Sequence, residues 1–198
     1  MSITEFLVEI AIKVVSEIGY LGVFLLMLLE SALIPIPSEV IMPFAGFLAV
    51  SGEMDLLAAV LAGTLGNLAG SLLAYFLGDR YGRSFIDRYG KYLFITENHW
   101  RHAEEFFQTR GRFAVFIGRL LPAIRTVISF PAGMARVEII EFSVYTFLGS
   151  FLWCLALTYV GVALGAQWEI LKNYSLYLDL FALLILALAL IYIFRKRS

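Results

Sequence analysis

Four charged residues stand inside otherwise apolar sequence. Glu30 and Glu39 lie in the stretch Leu28-Leu-Glu-Ser-Ala-Leu-Ile-Pro-Ile-Pro-Ser-Glu-Val40, and Arg119 and Arg125 in Phe116-Ile-Gly-Arg-Leu-Leu-Pro-Ala-Ile-Arg-Thr126. Each pair flanks a helix break, at Pro35 and Pro37 in the first stretch and at Pro122 in the second, because proline lacks the N–H that continues a helix. A charge at the centre of a membrane helix costs roughly 2.5–3.5 kcal/mol. Four unpaired would cost on the order of 10–14 kcal/mol, as much as the whole stability of a typical domain. The four must therefore be paired, hydrated or neutralised. An arginine fork matches a phosphate and keeps its charge, whereas a glutamate can lose and regain a proton. The residue types therefore suggest one anion site with a proton switch. The alternative is a pair of buried salt bridges that only fix packing, which hydrophobic residues could replace.

These residues must be positioned by membrane helices. The chain has 198 residues, 61% of them hydrophobic and 16% charged, where soluble domains run near one-quarter charged. That composition makes it an integral membrane protein, and a net charge of −1 gives no reason to expect nucleic acid. The single cysteine, Cys154, excludes an intrachain disulfide framework and a cysteine metal cluster. Met1–Glu9 has neither the basic start nor the cleavage site of a signal peptide.

In chain order, Ser2–Ser16 is amphipathic, with Ile3, Phe6, Leu7, Ile10 and Val14 at helical spacing, and residues 1–18 are expected to lie along the membrane interface. Gly19–Ile34 is apolar but only 16 residues long, short of the ~20 that a span needs. With Val40–Val50 it reads as a re-entrant hairpin, broken backbone being tolerated at depth where protein surrounds it. Leu56–Leu77 is a full span in which Gly63, Gly66 and Gly70 permit close helix approach. Residues 79–112 form a cytoplasmic amphipathic segment, with Trp100, Ala103, Phe106 and Phe107 as its apolar stripe. Phe113–Leu121, broken at Pro122 and ending at Phe130-Pro-Ala-Gly133, is the second hairpin; Phe142–Leu164 and Leu180–Phe194 are further spans. The expected fold is thus an all-α membrane domain: two inverted re-entrant hairpins facing each other, about three full transmembrane helices and an N-terminal amphipathic helix. The first hairpin-plus-span repeat covers 19–78, the second 113–165, and 166–198 holds the last span and basic tail.

Orientation follows from counting. Asp79–Arg112 and Arg195-Lys-Arg197 hold ten of the fifteen Lys and Arg residues, which puts both, and hence the C-terminus, in the cytoplasm of a cell-membrane protein. A shift of 87 residues carries Pro35 onto Pro122, Ala45-Gly46 onto Ala132-Gly133 and Leu77-Gly78 onto Leu164-Gly165. One span between the hairpins makes them enter from opposite sides, the inverted-repeat arrangement of transporters.

Other candidates are weaker. His99, His102 and Glu105 have a spacing that could hold a metal but read better as solvated side chains, so no metal and no cofactor is expected. Arg136, Glu138 and Glu141 mark an interface. Ser31, Ser38, Thr126 and Ser129 are hydroxyls that could line the site or satisfy backbone groups freed by the breaks. No serine elbow, phosphate-binding loop or paired soluble carboxylates mark an enzyme.

At these residues the sequence resembles the DedA family of membrane proteins, also called the SNARE-associated or VTT-domain family. The matching pieces are Glu30 with Pro35-Ile-Pro-Ser-Glu39, the run Gly66-x3-Gly70-x4-Tyr75-x2-Gly78-x3-Gly82-Arg83, and Gly118-Arg-Leu-Leu-Pro-Ala-Ile-Arg125 followed by Ala132-Gly133. The similarity covers most of the chain, roughly from Gly19 to Gly165. The resemblance implies two facing re-entrant hairpins and transport of a phosphate-headgroup lipid, such as undecaprenyl phosphate or phosphatidylethanolamine, between leaflets, with protons as coupling partner. It equates Glu30 and Glu39 with the family's essential acids and Arg119 and Arg125 with its essential arginines. The alternatives are a proton-coupled transporter of a small ion or drug, and a structural membrane protein. A homo-oligomer is compatible with each.

Overall fold

Lipid offers no partner to backbone N–H and C=O groups, so a segment that spans it must close its hydrogen bonds within a helix or a barrel. The computed structural model of this chain is helical and has no strand among its described residues, which are 3–34, 36–89, 107, 109, 111 and 113–165. The helices are α1 (Ile3–Ser31), α2 (Ser38–Val50), α3 (Leu56–Tyr89), α4 (113–119), α5 (Pro122–Arg125), α6 (Ser129–Met134) and α7 (Ile139–Leu164). The chain divides into two units, Met1–Ala163 and Leu164–Ser198, and only the first few residues of the second are described.

Among the described residues three helices are long and apolar enough to cross a membrane: Val8–Ser31, Leu56–Gly82 and Ile139–Leu164. The first departs from expectation. The amphipathic segment and the apolar one after it form a single helix, α1, with non-helical backbone only at Gly19 (φ 57°, ψ −129°). Val8, Ala11 and Val15 make its buried face, while Ile10, assigned to the apolar stripe, is exposed. The face that seemed to seek a membrane surface is partly turned to protein, one residue out of register with the reading from sequence. α3 likewise runs on past Leu77 to Tyr89, because Gly78 and Gly82 in the polar stretch pack against Phe130 and Met134. The expected span Leu180–Phe194 and the stripe Trp100–Phe106 lie outside the described residues.

Between the long helices the chain doubles back twice. The Asp55 N–H, just past the end of α2, donates to the Tyr20 hydroxyl at 2.7 Å, so α2 returns along the second half of α1. A cap at each end supports this turn-around. Leu33 (φ 73°) and Gly52 (φ 78°) stand in the left-handed region just after α1 and α2. The N–H groups that follow each bond back to the last turn, as Ile34 to Leu29 at 3.1 Å and Glu53 to Leu48 at 3.0 Å, the pattern that satisfies a helix's last carbonyls. The Asp55 carboxylate caps α3 by accepting from the Ala58 N–H at 2.8 Å. The second return is similar. Gly118 lies against Ile128, Val115 packs with Ala132, and Gly111 meets Val137, so α6 runs back beside α4. Arg136 (φ 51°) stands in the left-handed cap position after α6.

Glycine lets these pieces approach to backbone contact. A Cβ on Gly70 would overlap the Leu28 carbonyl of α1; one on Gly46 of α2, the Thr158 carbonyl of α7; one on Gly133 of α6, the Tyr75 carbonyl of α3. Of the three glycines expected to share a face, Gly66 and Gly70 meet α1, but Gly63 faces Met42 and Cys154. The interior is unusually polar, with Glu30, Ser38, Asn67, Ser71, Arg119 and Arg125 buried, whereas Leu21, Leu57, Leu65, Ile117 and Ile140 are exposed. That inversion of the soluble pattern fits a lipid surround.

Candidate functional site

The first bend brings Glu30 to the start of α2. Pro37 is the N-cap there and offers no side-chain oxygen, so the free N–H groups of the first turn need another acceptor. Glu30 supplies one: its Oε1 accepts from the Ser38 N–H at 3.3 Å. The partial positive charge of a helix N-terminus favours that carboxylate. Pro35 lies outside the described residues.

The second bend delivers the arginines. Pro122 sits in the first turn of α5, where its missing N–H is harmless, and Arg125 closes that single turn. Its Nη2 donates to Glu30 Oε1 and to Ser38 Oγ, with both charged side chains buried. The guanidinium lies 4.9 Å from the ring centre of Trp153 on α7, a cation–π distance. Arg119 ends α4 and is 2% exposed. Its Nη1 donates to the Arg125 carbonyl at 2.8 Å and its Nη2 to Ser71 Oγ at 2.6 Å and to Ser129 Oγ. All three acceptors are neutral.

Three of the four charges expected from sequence therefore share one buried cluster. Glu39 stands at its edge, half-buried, with the Ser38 hydroxyl 3.2 Å from its Oε2, and it makes no ion pair among the described residues. Ser38 and Ser129 enter the cluster, Ser31 instead donates to Asn67 in the α1–α3 contact, and Thr126 is half-buried after α5. Arg136 pairs with Asp79 at 2.9 Å, at an exposed position. His99, His102 and Glu105 lie outside the described residues, and no three potential metal ligands gather among those described.

Sequence reasoning missed Ser71 and Trp153. Both left a trace. Thr64, Asn67 and Ser71 repeat at three and four residues along an otherwise apolar span, one polar face of a helix. A tryptophan eleven residues from the end of α7 is also far from the interfaces where such rings gather. Five buried side-chain atoms in the described residues have no hydrogen-bond partner: Glu30 Oε2, Arg119 Nε, Arg125 Nε, Thr146 Oγ1 and Ser150 Oγ. Three are on the charged residues of the cluster. Its inner part carries one carboxylate against two guanidinium groups.

The model of the VTT domain matches residues 36–163, which hold Ser38, Arg119, Arg125 and Trp153. This chain belongs to the VTT-domain (DedA) family. Among its relatives, it is 40% identical over 197 residues to the uncharacterized membrane protein YkoX of Bacillus subtilis, covering 98% of this chain and 86% of that one. It is 36% identical over 198 residues to an alkaline phosphatase-like protein of Lactococcus lactis, covering 96% and 92%. It is 32% identical over 185 residues to undecaprenyl phosphate transporter A of Bacillus subtilis, covering 92% and 91%. No solved structure matches.

Proposed function

We propose that this protein carries a phosphate-headgroup lipid between the leaflets of the cell membrane, the headgroup passing the Arg119–Arg125 cluster while its tails stay in lipid. One observation carries the reading. Arg119 is buried and always charged, yet it meets only neutral oxygens. A buried cation without a counter-ion is costly, and a phosphate would supply the missing charge as well as the geometry its fork matches. The relative named an undecaprenyl phosphate transporter supports a lipid phosphate over a soluble anion. No feature of the cluster resembles a nucleophile with its base, so no enzymatic step is proposed.

Two re-entrant hairpins with tips facing in the membrane fit this reading. The contacts support an inverted repeat. Gly46 packs on α7 at Thr158, and Gly133, its counterpart under the shift of 87, packs on α3 at Tyr75. Two pairs of counterparts touch each other, Ser38 with Arg125 and Asn67 with Cys154, each 87 apart. In an inverted repeat such pairs would flank the two-fold axis, with Tyr75 one helical turn past Ser71, the counterpart of Thr158 under the same shift. A cytoplasmic C-terminus and cytoplasmic 79–112 segment follow from the basic residues alone.

Glu30 is the better proton carrier of the two acids, since it, rather than Glu39, holds Arg125. A headgroup that takes over the guanidinium leaves Glu30 without its partner, and a proton would neutralise it. Protein reconstituted in vesicles should transfer a labelled lipid phosphate across the bilayer but not the matching lipid alcohol. Glu30→Gln should flatten the pH dependence of that transfer. Equal transfer of both lipids would defeat the phosphate reading, and a full pH dependence in the Gln variant would defeat the proton role.

A further inference from the structure

Buried hydroxyls on membrane helices ordinarily donate to the carbonyl one turn back. Here Thr64 bonds to Val60 and Thr158 to Cys154, each at 2.7 Å, and Ser71 bonds to Asn67. Thr146 and Ser150 of α7 do not. They are 0% and 2% exposed, and neither hydroxyl has a hydrogen-bond partner among the described residues.

Their place on α7 is tied to the charged cluster. Gly149, between them, packs against Cβ and Cγ of Arg119, so that a Cβ there would collide with that side chain. Trp153, one turn after Ser150, lies over the Arg125 guanidinium. The neighbouring stretch of α7 thus touches both arginines, and Arg119 Nε and Arg125 Nε are themselves unpartnered donors. An unengaged hydroxyl in an apolar medium costs several kcal/mol unless something completes it. Two hydroxyls on the stretch of α7 that touches the arginines and two guanidinium N–H groups, all without a hydrogen bond, are suited to an acceptor with several oxygens.

We propose that Thr146 and Ser150 are donors to the phosphate oxygens of the ligand held at Arg119, so that α7 supplies part of the anion cage. This rests on the lipid-phosphate reading above and assigns it two residues outside both hairpins. The two hydroxyls make the site sensitive to the number of terminal oxygens: a monoester phosphate presents more acceptors than a diester.

The test is ligand binding by the purified protein, with inorganic phosphate, a long-chain alkyl monophosphate, an alkyl phosphodiester and the matching alkyl alcohol as probes. Thr146→Val and Ser150→Ala should each weaken the monophosphate on the order of tenfold, the scale of a hydrogen bond to a charged group. The diester should lose less, and the alcohol nothing. Unliganded melting should stay the same or rise, since each change removes an unpaired buried polar atom, and this separates lost binding from lost folding. Ser150→Thr should restore binding, and Thr158→Val, which removes a hydroxyl bonded to its own helix, should leave it intact. Stronger binding of the alkyl monophosphate than of inorganic phosphate would assign the anion to a lipid, and equal binding to free phosphate, with the cage upheld in either case. If the Thr146→Val, Ser150→Ala double variant binds all probes like the parent while Arg119→Gln does not, the hydroxyls are completed by water and the inference fails while Arg119 keeps its role. If Arg119→Gln also binds like the parent, the phosphate reading fails with it.

Discussion

The two bends of this protein differ in kind although they meet at one place. The first carries only acids, Glu30 and Glu39; its chain runs extended through Pro37 and then enters the thirteen-residue α2. The second carries only bases, Arg119 and Arg125, and its chain is broken into the four-residue α5 and six-residue α6. One acid satisfies one base, and the other base faces hydroxyls and a carbonyl. Two arginines six residues apart thus have different physical situations. Arg125 holds the bends together, and Arg119 is the charge left in want of a partner. A symmetric pair of salt bridges would have made the site neutral and self-sufficient.

The largest effects should come from separating the two arginines. Arg125→Gln strands Glu30 as a buried unpaired charge and should destabilise the protein by about 3–5 kcal/mol. Adding Glu30→Gln should recover most of that loss. Arg119→Gln should leave stability unchanged or raised while abolishing lipid transfer. Unfolding in detergent together with transfer by reconstituted protein checks all three variants. Matching stability losses at the two arginines, neither relieved by Glu30→Gln, would erase the distinction.

A smaller effect tests whether the bends are anchored alike. Gly46→Ala and Gly133→Ala each push a return helix off a carbonyl of the opposite long helix. Each should cost about 1–3 kcal/mol, the usual range for overpacking. Losses that differ by more than that range would show that the two bends are not anchored alike.

The smallest concerns a strained cap. Leu33 follows the end of α1 in the left-handed region (φ 73°) and is exposed, a conformation that costs a non-glycine residue roughly 1–2 kcal/mol. Arg136 occupies the corresponding position after α6. Leu33→Gly should therefore raise the melting temperature slightly, by an amount set by that relief less the added freedom of the unfolded chain. A lower melting temperature would mean that the Leu33 side chain contributes more to the first bend than its backbone costs.

The sequence by itself determined the class and the cast. Apolar runs with prolines and charges set inside them have few outcomes in lipid, because every buried charge and every free N–H must find a partner there. Hence Glu30, Arg119 and Arg125 were legible as one charged cluster before any coordinates, with Glu39 expected beside them. Tertiary structure decided what distance along a chain cannot carry. It chose Glu30 over Glu39 as the partner of Arg125, since that depends on which carboxylate the start of α2 presents to α5. It joined residues 3–18 to the helix that follows, because the face buried by Val8, Ala11 and Val15 is defined by neighbours that helical periodicity does not name. It also brought Ser71 from α3 and Trp153 from α7 to the arginines. Those two left a trace in otherwise apolar spans, a polar helix face and a mid-span tryptophan, but only packing reveals which of their turns lies at the level of the charges.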